Sequence, residues 1–153
     1  MIKTMFSVLT AGLVLGLGTG AARAQDKATK DNFERKAHAV NAAAKQTDSA
    51  NSALRAISVE TGVPLEKVQG MYKDHPKAGP AGILVACVLA DETKLAPEKF
   101  LEGESDVKSW ETLISHHNVP LQKVSDRFDH VQREMTDPNK ANKAARATKE
   151  NRQ

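Results

Sequence analysis

A single cysteine, a single tryptophan and a single tyrosine stand among the 153 residues, and aromatics make up only 4% of them. With Cys87 alone, no intrachain disulfide can form and no C-x-x-C redox pair exists. The Gly-x-Ser-x-Gly elbow, the H-E-x-x-H metal helix and the phosphate-binding glycine loop are all missing, so no motif argues for catalysis. An N-x-[ST] acceptor is also absent. Beyond the N-terminus the longest apolar run is Ile83–Ala90, "ILVACVLA", far short of the roughly 20 residues that a bilayer-spanning helix needs.

What is present begins with a targeting pattern. Lys3 gives a positive start, an apolar stretch from Met5 to Leu17 follows, and Ala22-Arg23-Ala24 forms an A-x-A cleavage site before Gln25. Residues 1–24 are therefore expected to be a signal peptide, with an N-terminal membrane anchor as the alternative. No cysteine follows the cleavage point, so lipid anchoring has no support. The remaining 129 residues suffice for one domain with a core. A periplasmic or secreted protein is expected, with no membrane span after cleavage.

The net charge of +3 is unevenly placed. Lys3 and Arg23 belong to the leader, and the tail 138–153 carries Lys140, Lys143, Arg146, Lys149 and Arg152 against Glu150. Residues 25–137 are left at −3. A mildly acidic body does not offer the cationic surface that nucleic acid requires. The tail lacks aromatics for base stacking and an apolar face for membrane insertion, and reads as a disordered basic terminus.

Helical periodicity dominates the body. Phe33, Ala37, Val40 and Ala44 form a narrow, Ala-rich stripe, predicting a helix from Asp31 to about Thr47 within an N-terminal unit 25–48. Asp48 to Ser52 reads as a polar break. The helical domain 49–137 then opens with a face of Ala50, Leu54, Ile57 and Thr61. Gly62 stands where a left-handed stop residue is wanted, and Pro64 restarts a helix lined by Leu65, Val68, Met71, Tyr72 and His75. His75–Pro80 reads as a loop, and the helix Ala81–Asp91, apolar all round, is expected at the centre.

The same corner returns. "TGVPLEKV" at 61–68 is echoed by "HNVPLQKV" at 117–124, and more loosely by "TKLAPEKF" at 93–100. Ser105 is a good N-cap for the helix carrying Val107, Trp110, Ile114 and His117; Asn118 takes the place of Gly62. Leu121, Val124, Phe128, Val131 and Met135 then make the cleanest amphipathic helix, ended at Asp137-Pro138. Irregular offsets exclude a long solenoid. The expected fold is all-α, a compact single domain of five to seven short helices with repeated helix–turn–helix corners.

Candidate chemistry is sparse. "ISVETGVPLEKVQGMY" has the order of a DNA-binding helix-turn-helix, but its second helix offers balanced charge, as does the second copy with Gln122, Lys123, Asp126 and Arg127. His116, His117 and His130 invite a metal reading. Helical phase sets His117 beside Trp110 on the apolar face, turns His116 away and points His130 to solvent. Asp126, His130 and Glu134 read as a solvated face, and His75 and His117 as helix-terminal residues. The acidic pairs Asp91-Glu92 and Glu102/Glu104 show no burial that would raise a carboxyl pKa. Cys87 reads as a small apolar side chain rather than a nucleophile.

"SVETGVPLEKVQGM", "GILVACVLADETKLAPEKFLE" and "SWETLISHHNVPLQKV" resemble a group of small exported bacterial helical proteins with repeated "ETGVPLEKV"-type corners, over roughly Ala53 to Val124. The resemblance implies an exported compartment and a helical fold, and carries no activity or functional residues. The expected function is that of a non-enzymatic binding or accessory protein with a protein or small-molecule partner. The alternatives are a helix-turn-helix DNA-binding protein and a weak metal-handling protein. No catalytic, cofactor or metal residues are assigned, and no specific nucleic-acid partner is expected.

Overall fold

A computed structural model describes residues 19–45, 49–102 and 107–136, with side-chain surroundings from residue 26 onward, Ser49 apart. The cap at Ser105, the acid Glu104, the stop at Asp137 and the tail 138–153 lie outside the described residues, as do residues 1–18 of the expected signal peptide. Among the described residues the protein is all-α. Six helices appear: α1 (Thr19–Ala44), α2 (Ser49–Thr61), α3 (Leu65–Asp74), α4 (Gly79–Thr93), α5 (Val107–His116) and α6 (Leu121–Thr136). One 3₁₀ turn, Pro97–Phe100, lies between α4 and α5. The third, loose copy of the corner does carry a helical turn behind its proline.

α4 is the hub. Every residue from Pro80 to Leu89 is buried, which explains a run with no polar face. It touches all five other helices and the 3₁₀ turn. Around it, α1, α2 and α6 pack on one another. α6 buries Val124, Phe128 and Val131 from its apolar stripe, and the Phe128 ring meets Phe33 of α1 edge-on at 5.5 Å. Asn32 meets Ser125 and Lys36, one turn further, meets Asp129, also one turn further, so α1 and α6 run in the same direction.

Several helix boundaries differ from the sequence expectation. α1 begins at Thr19 rather than Asp31, because the polar, Ala- and Lys-containing stretch before Phe33 continues the helix without an apolar stripe to announce it. The polar break is shorter than expected, since Ser49–Ser52 already belong to α2. α4 starts at Gly79, so Pro80 sits in its first turn instead of in the loop, a position where its missing N–H leaves nothing unpaired.

The corners are built alike. Gly62, Lys94 and Asn118 are all left-handed, with φ of 71°, 60° and 55°. At the first two, a threonine reinforces the stop. The Thr61 hydroxyl donates to the Ile57 carbonyl at 2.7 Å and accepts from the Val63 N–H at 3.4 Å; Thr93 does the same with Leu89 and Leu95. His117 replaces the threonine in the remaining copy, where the Val119 N–H reaches back to the Ile114 carbonyl instead. Pro64 caps α3 from the position just before its first helical residue, and its carbonyl accepts from the Val68 N–H.

Gly82 sets how closely α5 approaches α4. A Cβ there would lie 2.6 Å from Cζ2 of Trp110, so the indole rests directly on the α4 backbone. The N-terminus of α4 is tied to α1 by Asn41, whose side-chain oxygen accepts from the Ala81 N–H at 2.9 Å.

Candidate functional site

The helix corners come first, because they alone carry a functional resemblance to DNA readers. In α3 the only cation near the N-terminus, Lys67, pairs with Glu98 of the 3₁₀ turn at 3.2 Å. In α6, Lys123 pairs with Glu92 of α4 at 2.6 Å and Arg127 with Glu60 of α2 at 2.5 Å. Asp126 accepts from Gln122. Lys67, Lys123 and Arg127, the cations in the first two turns of these helices, therefore each stand opposite a carboxylate of their own chain.

Of the five histidines, the three that invite a metal reading fall in two places. His117 packs edge-on against Phe100 at 5.2 Å, a partner that the sequence phase, pointing to Trp110, did not reveal. His116 is exposed yet its ring lies 5.2 Å from that of His117, so the two are not held apart as expected. His130 is 49% exposed but does not simply face solvent: its Nδ1 lies 3.2 Å from the Glu60 carboxylate across the α2–α6 interface. Among the described residues, no group of three histidine, cysteine, aspartate or glutamate side chains gathers around a point where a metal ion would sit.

Cys87 lies in the packed centre of α4. Burial pushes its thiol up to about 12, against a weaker opposing pull from a hydrogen bond with Thr61 and from the Lys67 ammonium. A thiol so seldom ionised is a poor nucleophile. Of the acidic residues, Asp91 pairs with Lys94 and Glu92 with Lys123, while Glu102 is exposed. Burial pushes the Glu98 carboxyl upward, but its own backbone N–H and the Lys67 ammonium together outweigh burial and hold it below the ordinary glutamate range.

Two polar arrangements escaped the sequence reading. Between α1 and α6, Lys36 is buried at 7% exposure and donates to Asp129 at 2.6 Å and to the Ser125 carbonyl at 3.4 Å. Between α2 and α6, the Glu60 side chain, 11% exposed, receives both Arg127 and His130. Both were open to detection. Lys36 lies three residues after Phe33 and four before Val40, and Glu60 three after Ile57, so each charge stands on a buried face.

Among the described residues, Arg55 Nε and a Glu111 carboxylate oxygen are buried without a hydrogen-bond partner, and Glu111 stands at the interface of α1 and α5. There an open depression of about 220 Å³ is lined by Glu34, His38, Val107 and Lys108. Glu111, one turn along α5, has a carboxylate oxygen shut off from solvent without a hydrogen-bond partner. Burial raises its carboxyl above the ordinary glutamate range, and the neighbouring Glu34 carboxylate adds to the rise, with Lys30 opposing. The depression thus sets the Glu34 carboxylate beside the basic side chains of His38 and Lys108.

Comparison with known protein families, curated proteins and solved structures finds no match. The chemistry of these positions stands on the residues themselves.

Proposed function

We propose that the protein is an exported, non-enzymatic binding or accessory protein of the periplasm or the secreted fraction. The observation that carries this reading is the pairing of Lys67, Lys123 and Arg127 with Glu98, Glu92 and Glu60, which leaves the helix corners without the surplus of cations that phosphate binding needs. The buried thiol of Cys87, pushed up to about 12, points the same way. The open depression between α1 and α5, lined by Glu34, His38, Val107 and Lys108, is a candidate surface for a partner.

Export is supported by the A-x-A pattern at Ala22–Ala24. Cleavage after Ala24 would remove the first turns of α1 and leave its described buried residues, which begin at Phe33. No helix among the described residues is long and apolar enough to cross a membrane. Mass spectrometry of the native protein from fractionated cells tests the reading: a chain beginning at Gln25 outside the cytoplasm is expected. A chain retaining Met1 in the cytoplasm would overturn it and favour the helix-turn-helix alternative, whose support is the α2–α3 corner.

A further inference from the structure

We draw no further inference here: the strongest candidate, the depression between α1 and α5 where the Glu111 carboxyl lies beside Glu34, is a cluster of acidic side chains already described, and nothing in the structure points to the ligand that would fill it.

Discussion

The surroundings of α4 and the interface where α6 lies between α1 and α2 achieve burial by different means. α4 buries an unbroken apolar run from Pro80 to Leu89, and its contact with α5, Trp110 on Gly82, is fixed by shape. The α6 interface mixes the Phe33–Phe128 contact with charge: Lys36 against Asp129, and Glu60 against Arg127 and His130. A purely apolar stripe tolerates sliding by a helical turn, because another apolar residue follows every three or four positions. Buried charges do not tolerate it, since a shifted register strands each one without its partner. The hub is positioned by fit and the outer helices by fit plus pairing.

Breaking the packing at either place should produce the largest effects. Phe128→Ala should lower stability by about 3–5 kcal/mol in chemical denaturation, and Val131→Asp should abolish the folded state. Gly82→Ala should cost about 1–3 kcal/mol, because the Trp110 indole has to move off the α4 backbone. Equal losses from Gly82→Ala and a surface Ala substitution would mean that the α4–α5 fit is looser than described.

The pairing side of the comparison makes an asymmetric prediction. Asp129→Ala leaves the Lys36 ammonium buried without its carboxylate and should cost about 1–2 kcal/mol. Lys36→Met removes the charge and keeps the apolar stem, so it should be nearly neutral, and it should cancel most of the Asp129→Ala loss in the double variant. Simple additivity in that cycle would remove the pairing from the account of register.

How far the sequence anticipates these two regions follows from the range of the interactions. Periodicity is local, so the stripe through Leu121 and Met135, the buried run of α4 and the left-handed Gly62 and Asn118 are all legible. The same holds for the reuse of one corner. Lys36–Asp129 and Arg127–Glu60 join residues 93 and 67 positions apart, and no local pattern names such partners. The Phe100–His117 contact is likewise tertiary, and the phase of a single helix does not reveal it. The start of α1 is not legible because residues 19–32 carry no apolar stripe at helical spacing. Glu111 was missed because Glu34, the like charge beside it, belongs to another helix.

A smaller effect should appear at Glu111. Its raised carboxyl means that the folded state holds the proton more tightly than the unfolded one. The associated stability is fully present below the ordinary glutamate range and is lost as pH rises through the raised value. Glu111→Gln should therefore raise the melting temperature at neutral pH by a gain worth less than about 1 kcal/mol, since the residue is only partly buried. The gain should fade on acidification. A gain independent of pH would assign the effect to packing.

We propose that the repeated corners join helices of the body rather than read nucleic acid. Binding to duplex DNA over a range of salt concentrations, measured with the full chain and with a chain ending at Asp137, tests it most directly. The full chain should bind weakly and without sequence preference, with a salt slope no steeper than about −4.5 from the five tail cations. The shortened chain should keep its helicity and melting temperature and bind no DNA. Salt-sensitive, sequence-selective binding by that shortened chain, lost on substitution of Lys67 or Lys123, would contradict the account.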